Sequence, residues 1–162
     1  MHSVGRYRVI RRIGAGSFST VWLAHDDALD IEVAVKVLSD NWVEHADVRQ
    51  RFIDEARLLR RIQDPRIVAV HDIGRLPDGR DYFVMDHAAG GTVADLASSP
   101  LPTATVLQLG ADLADAVAAL HANGVLHRDL KPANLLLTGD VPRRDSCSPT
   151  WVRPSGWPSP RG

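Results

Sequence analysis

The side chains most suited to chemistry stand close together in one stretch, His127-Arg128-Asp129-Leu130-Lys131-Pro132-Ala133-Asn134. Asp129 offers a proton acceptor, Lys131 a cation for a phosphoryl oxygen, and Asn134 an amide oxygen that can bind a metal ion. One loop could therefore supply three groups that phosphate chemistry requires. Taken alone, the string could also be a polar surface loop that follows a helix.

A second candidate site is the segment that contains Gly14 and Gly16, between two predicted strands. Two glycines let the backbone approach a chain of phosphates closely, and backbone N–H groups can then cradle the phosphate oxygens. Gly-x-Gly in a hairpin is a weak signal by itself, and an ordinary tight turn is the better interpretation of this segment in isolation.

A third candidate is Lys36, which lies within an otherwise apolar predicted strand. Lysine is rarely buried without a partner, so a buried Lys36 would need an anion beside it. The alternative is that the strand lies at the edge of the sheet and the Lys36 ammonium points into solvent. Glu55, beside Ala56 on the apolar face of the next helix, would point toward the sheet and could pair with Lys36. Buried ion pairs stabilise proteins poorly, so this pair favours a functional role, with the lysine held toward phosphates.

These side chains must be positioned by a strand-rich first part and a helical second part. The patterns predict strands at 7–13, 19–24, 31–38, 67–73 and 81–85, the last two forming a hairpin. A helix is predicted over 47–62, because its apolar residues recur at steps of four, four, three and three. Another is predicted over 103–123, with Thr103 as its N-cap.

In this order, the motifs resemble the eukaryotic-type Ser/Thr protein kinase family, particularly its bacterial members, over residues 6–137. The resemblance implies an α+β fold with a complete N-lobe at 6–88, formed by a five-stranded antiparallel sheet and one helix. Residues 89–137 would be the first part of a helical C-lobe. Residues 138–162 contain five of the ten prolines and are predicted to be a disordered tail.

The resemblance also assigns roles in transferring the γ-phosphoryl group of ATP, with Mg²⁺, to a protein Ser or Thr. Asp129 would accept the hydroxyl proton, Lys131 would neutralise the moving phosphoryl group, and Asn134 would bind the metal ion. The residues assigned to ATP binding are Ile13, Gly14, Gly16, Ser17, Phe18, Val21, Ala34, Lys36, Glu55, Met85, Asp86 and Ala88. Among them Phe18 would cap the loop tip, Met85 would be the gatekeeper, and the backbone of Asp86 and Ala88 would bind adenine.

The sequence departs from this family after Leu137. Asp-Phe-Gly, whose aspartate is the family's main magnesium ligand, does not follow, and neither Asp140 nor Asp145 precedes Phe-Gly. We therefore expect a truncated and catalytically impaired copy, and the tail composition suggests a shifted reading frame. The apolar face of the long helix would lose its cover, which predicts an unstable or partner-dependent helix; its residues are Leu109, Leu113, Val117 and Leu120.

Two other functions compete with that of an active kinase. One is a pseudokinase-like interaction module that binds ATP without transferring phosphate. The other is an aminoglycoside-type small-molecule phosphotransferase, which shares the His-x-Asp-x-x-x-x-Asn spacing. Lys131-Pro132, the early glycine segment and the strand lysine argue against the second alternative.

The bulk composition narrows the classes of partner. A formal net charge of −1 gives no reason to expect a nucleic-acid or membrane-surface partner. The single cysteine, Cys147, excludes an internal disulfide and suits a reducing compartment. The sequence contains no run of eighteen apolar residues, so it predicts no membrane span. We expect a cytoplasmic protein whose partners are an unidentified protein substrate and a protein that stabilises the long helix.

Overall fold

The computed structural model describes residues 2–127, 129–138 and 150–152. The chain divides into two units: unit 1 is Met1–Arg61 with Ala69–His87, and unit 2 is Ile62–Val68 with Ala88–Gly162. Unit 1 therefore ends next to the predicted lobe boundary, whereas the assignment of 62–68 to unit 2 has no counterpart in the prediction. Met1, Arg128 and the tail residues 139–149 and 153–162 lie outside the described residues.

Unit 1 is built on a six-stranded antiparallel sheet with the strand order β1-β2-β3-β4-β6-β5. Its strands are Ser3–Val4 (β1), Tyr7–Ala15 (β2), Ser19–Asp26 (β3), Ile31–Leu38 (β4), Val70–Arg75 (β5) and Asp81–Asp86 (β6). The five predicted strands are all present. The sixth, β1, has only two residues, too few for an alternating pattern to indicate a strand.

Side chains on one face of this sheet form a hydrophobic core. Alternate residues of β4 (Val33, Val35 and Val37) are buried there, together with Tyr7 and Tyr82. Tyr7 donates its hydroxyl hydrogen to a carboxylate oxygen of Asp72 at 2.8 Å, so its polar end is satisfied. Burial, followed by this hydrogen bond, raises the pKa of the Tyr7 hydroxyl above its ordinary value. Because side chains alternate along a strand, the even-numbered residues of β4 lie on the opposite face.

The other face of the sheet carries the helix α1, Ala46–Arg61. Its buried residues are Val48, Phe52, Glu55, Ala56 and Leu59. This burial confirms the predicted apolar face, and the helix begins and ends one residue earlier than predicted.

Two arginines fix α1 against the β5–β6 hairpin through a shared acid. The buried carboxylate of Asp81 accepts from Arg49 Nε of α1 at 3.0 Å and from Arg75 Nε of β5 at 2.7 Å. A buried carboxylate is stable only when it is paired in this way.

Unit 2 contains helices α2 (Val93–Leu96) and α3 (Thr103–Ala122), a 3-10 turn at Pro132–Asn134, and strands β7 (Leu135–Leu137) and β8 (Thr150–Val152). The α2 helix, which sequence reasoning missed, begins with a capping box between Thr92 and Asp95. Hydrogen bonds from the Thr92 side chain and backbone lower the pKa of the Asp95 carboxyl. The prediction of Thr103 as N-cap of α3 is wrong: Pro102 occupies that position, so no side chain caps this helix.

Two further predictions about unit 2 are wrong. Thr150–Val152 is not disordered, because it pairs antiparallel with β7. The expected exposure of the apolar face of α3 also fails, since Leu109 and Leu120 are buried and Leu113 and Val117 are half-buried. The backbone of strand β8 lies close to α3 within unit 2.

Within the described part of the chain, α3 is long enough and apolar enough to cross a membrane, judged by length and composition only. Helices in the core of soluble proteins meet the same criterion. The helix carries Asp112 and Asp115, and Asp115 lies 3.4 Å from Arg66 Nη1 in an ion pair within unit 2.

Candidate active site

The residues predicted to surround ATP in unit 1 line up on one face of the sheet. Gly14 of β2 is paired with Val21 of β3, and Val21 is paired with Lys36 of β4. Two residues along β4, Ala34 is paired with Met85 of β6. Because directly paired residues and residues two apart share a face, all five lie on the face that carries α1. No short-range signal in the sequence specifies this alignment across four strands.

Lys36 and Glu55 form the ion pair predicted from the sequence. Lys36 Nζ lies 2.7 Å from Glu55 Oε1 and 2.9 Å from Glu55 Oε2. The two side chains are only 12% and 7% exposed. The ammonium also lies 5.5 Å and 5.2 Å from the ring centroids of Phe52 and Phe83. The Lys36 ammonium thus lies among the Glu55 carboxylate and two aromatic rings, on the side of the sheet that carries α1.

The glycine segment forms the turn between β2 and β3. Gly16 N–H donates to the Ser19 carbonyl at 2.9 Å, which closes the turn. The predicted capping residue, Phe18, packs its ring against Trp42 with centroids 4.8 Å apart. Ile13, predicted to contact ATP, lies in β2 with 37% of its surface exposed.

Sequence reasoning missed Trp42. It lies in a 3-10 turn, Asp40–Trp42, and its indole N–H donates to the Ser17 carbonyl at 3.0 Å. The contact joins residues 25 positions apart, so no local pattern could have indicated it.

The end of β6 holds the residues predicted to contact adenine. Met85, the predicted gatekeeper, is buried. The Asp86 N–H donates to the Ala69 carbonyl, and the Asp86 carboxylate accepts from the Ala69 N–H and contacts His71 Nε2 at 2.7 Å. The Asp86 N–H is thus engaged within the sheet. The backbone group of Asp86 that could accept a hydrogen bond from an adenine amino group is its carbonyl. Ala88 belongs to unit 2, where its carbonyl accepts the Gly91 N–H.

The three predicted catalytic residues converge in a loop of unit 2. Lys131 Nζ lies 2.9 Å from Asp129 Oδ2. The buried Asn134 donates its amide hydrogens to the Asp129 carbonyl at 2.8 Å and to Asp129 Oδ2 at 3.1 Å. Below them, buried His127 receives the Asp129 N–H at its carbonyl and presents Nδ1 3.3 Å from the same nitrogen. The predicted bracing contact of His127 is thus present, and the loop holds Asp129 by its backbone as well as its side chain.

The same loop bears on the question of a metal ion. No cluster of three or more His, Cys, Asp or Glu that could hold a metal occurs among residues 2–127, 129–138 and 150–152. Asn134 nevertheless has the chemistry of a magnesium ligand, because its Nδ2 makes both bonds to Asp129 and its side chain also carries an amide oxygen, the type of ligand that Mg²⁺ prefers. Magnesium is commonly bound by one or two protein oxygens together with substrate phosphates, so a single amide is compatible with it.

Comparison with known proteins agrees with this arrangement. The sequence pattern of the protein kinase domain matches residues 7–143. The chain is 37% identical over 135 residues to the serine/threonine-protein kinase pkn2 of Myxococcus xanthus, covering 83% of this chain and 16% of that protein. It is 36% identical over 135 residues to the serine/threonine-protein kinase PrkC of Bacillus subtilis, covering 82% and 21% respectively.

A solved structure is also similar. The chain aligns with the crystal structure of the PknI kinase domain of Mycobacterium tuberculosis at a TM-score of 0.71 and 30% identity. The alignment covers 97% of this chain and 62% of that one. This chain therefore spans about a fifth of the length of its curated relatives and under two thirds of the solved domain. The match to the kinase sequence pattern, the similarity to a solved kinase fold and the contacts within the 127–134 loop together establish the family. The chain belongs to the protein kinase family, with bacterial Ser/Thr kinases as its relatives.

Proposed function

We propose that this chain binds MgATP through unit 1 and serves ATP-dependent phosphoryl transfer to protein Ser or Thr. The observation that carries the proposal is the Lys36–Glu55 pair at 2.7 Å, on the face that also holds Gly14, Val21 and Ala34. Desolvating two charges costs several kcal/mol per ion, and hydrophobic residues would fill the same space at less cost. The presence of the Lys36 ammonium at this position is explained if it binds an anionic ligand in addition to Glu55.

The phosphates and the adenine would each meet complementary groups in unit 1. The Lys36 ammonium would hold the α- and β-phosphates, and the backbone between Gly14 and Phe18 would cradle them. Val21 and Ala34, both buried and apolar, would contact the faces of the adenine ring. The Asp86 carbonyl would accept a hydrogen bond from the adenine amino group.

The loop of unit 2 supplies groups for the transfer itself. The substrate hydroxyl oxygen would form a bond to the γ-phosphorus as the bond from that phosphorus to the bridging oxygen of ADP breaks. Asp129 would take the hydroxyl proton, and Lys131, now paired with Asp129 at 2.9 Å, would neutralise phosphoryl oxygens. Asn134 would hold magnesium, which supplies charge stabilisation for the phosphates when bound.

A second candidate function is ATP binding without transfer. A sequence observation favours it: no Asp-Phe-Gly follows Asn134 in this chain, so a carboxylate for magnesium is missing from its usual place. We propose that transfer by this chain is impaired relative to its relatives, because phosphoryl transfer depends strongly on metal charge.

The partners and compartment are part of the same proposal. Ser or Thr in an unidentified protein would be the phosphate acceptor. A protein partner would contact α3, where Val106 and Leu107 are 52% and 69% exposed. Because α3 lies within the matched kinase domain, we interpret it as a helix of that domain. The single cysteine suits a cytoplasmic location.

Thermal unfolding with and without MgATP tests the binding step. ATP should raise the melting temperature of the wild type and of Asp129→Asn, but not of Lys36→Met. The reason is that Lys36 would bind the phosphates of ATP, whereas Asp129 would act on the substrate hydroxyl. Asp54→Asn is the control for Asp129→Asn, since Asp54 is a half-exposed carboxylate on α1. Absence of any ATP effect on the wild type would contradict the proposal.

Transfer of labelled γ-phosphate to a generic protein substrate separates the two candidates. Turnover that Asp129→Asn abolishes and Asp54→Asn leaves intact would identify an active kinase. Binding of ATP without turnover would identify the non-catalytic module.

A further inference from the structure

Trp42 contacts the tip of the glycine turn with both its polar and its apolar parts. Its indole N–H donates to the Ser17 carbonyl at 3.0 Å. Its ring lies against Phe18, with centroids 4.8 Å apart and planes inclined by 39°. A backbone bond from Ser39 N–H to the Phe18 carbonyl at 2.9 Å joins the same two segments. The two residues at the tip of the turn are therefore both held by the chain segment that follows β4.

On its other side, Trp42 contacts the start of α1. Its ring lies 5.1 Å from the ring of His45, and its carbonyl accepts the His45 N–H at 3.1 Å. The His45 carbonyl in turn accepts the Arg49 N–H at 3.0 Å, in the first turn of α1. One side chain thus joins the glycine turn to the helix that carries Glu55.

We propose that Trp42 is a positioning residue for phosphate binding: it holds the glycine turn in the conformation that receives the phosphates of ATP. The inference rests on the proposed function, and it adds a residue that the kinase motifs do not include. A glycine-containing turn loses much conformational entropy when it is ordered around a ligand. Ordering it beforehand removes that cost from binding, so the restraint favours affinity for the part of the ligand that the turn contacts.

The distinguishing consequence concerns phosphates only. Adenosine has the base and the sugar of ATP but nothing for the glycine turn to bind. Loss of Trp42 should weaken ATP binding and leave adenosine binding unchanged. A role confined to general stability would not separate the two ligands.

The experiment is calorimetric titration of the full chain with MgATP and with adenosine. Trp42→Ala removes the hydrogen bond and the ring contact, and should raise the Kd for MgATP about tenfold. Trp42→Phe keeps a ring against Phe18 but has no N–H donor, so a rise of about threefold is expected. The Kd for adenosine should stay within about twofold in both variants. Asn41→Ala, an exposed neighbour in the same turn, should change neither value.

Equal losses for both ligands, or no loss of ATP affinity, would overturn the inference. If Trp42→Ala fails to fold, Trp42→Phe decides the matter through the same ratio of the two Kd values. A wild type that binds neither ligand would instead refute the proposed function, so the two failures have different signatures.

Discussion

The Lys36–Glu55 pair allows the energetic and functional roles of one contact to be separated. Lys36→Met leaves a carboxylate whose side chain is 7% exposed, and Glu55→Met leaves an ammonium that is 12% exposed. Removing one partner of a buried pair costs about 3–5 kcal/mol, because the remaining charge stays desolvated. We expect about 3 kcal/mol for Glu55→Met, near the lower limit, since Phe52 and Phe83 still face the ammonium.

The double variant should reverse most of this loss. Two methionines fill similar volumes without any charge, and such replacements are often neutral or stabilising. We expect its free energy of unfolding to lie within about 1 kcal/mol of the wild type. Urea unfolding followed by tryptophan fluorescence measures all four proteins, and Trp22 and Trp42 report on unit 1.

Nucleotide binding then gives the decisive comparison. The double variant should be stable yet show no stabilisation by MgATP, because the cation for the phosphates is gone. The reasoning is wrong if the double variant is as unstable as the weaker single variant, since the pair would then be a net source of stability. It is equally wrong if the stable double variant binds ATP as tightly as the wild type.

Three further predictions concern stability alone. Gly110→Ala should raise the free energy of unfolding by about 1 kcal/mol in urea titration, because nothing lies within 4 Å of the added methyl group in α3. Gly74→Ala should lower it by about 1–3 kcal/mol, since the methyl group would meet the Tyr82 ring; equal signs for the two variants would contradict this assignment. The hydrogen bond from Arg66 lowers the pKa of the Asp64 carboxyl below its ordinary 3.8, so its stabilisation is present above that pH and is lost as the pH falls further. Asp64→Asn should therefore lose less stability than the wild type between about pH 5 and pH 3, and parallel pH profiles would rule this out.

The parts of the site that follow from local periodicity could be predicted. The spacing of Val48, Phe52, Ala56 and Leu59 predicts which side of α1 is buried, and Glu55 follows from it as a partner for Lys36. The mutual contacts of Asp129, Lys131 and Asn134 could be predicted as well, because the three side chains stand within six consecutive residues; their catalytic role stays a prediction.

Long-range pairing and short elements could not be predicted. The contact of Trp42 with Ser17 depends on how a loop returns to a distant turn. Strand β8 arises from pairing with β7, whereas its own sequence lies among prolines and serines that favour disorder. The helix α2 did carry a local signal, Thr92 three residues before Asp95, but four residues are too few for a helical period.

The irregular edge of the sheet bears on solubility. On the outer side of β2, Ser3–Val4 pairs with Tyr7 and Arg8, and the His2 carbonyl accepts the Val9 N–H at 3.1 Å. Among the described residues no strand pairs with this side of β2 beyond Val9, so its edge is open there. The register of β2 is interrupted between Val9 and Arg11 and between Arg12 and Gly14, and both arginines are exposed. Irregular pairing and positive charge on an open edge disfavour the docking of a strand from another molecule. These features would keep separate copies of the protein from joining edge to edge into aggregates.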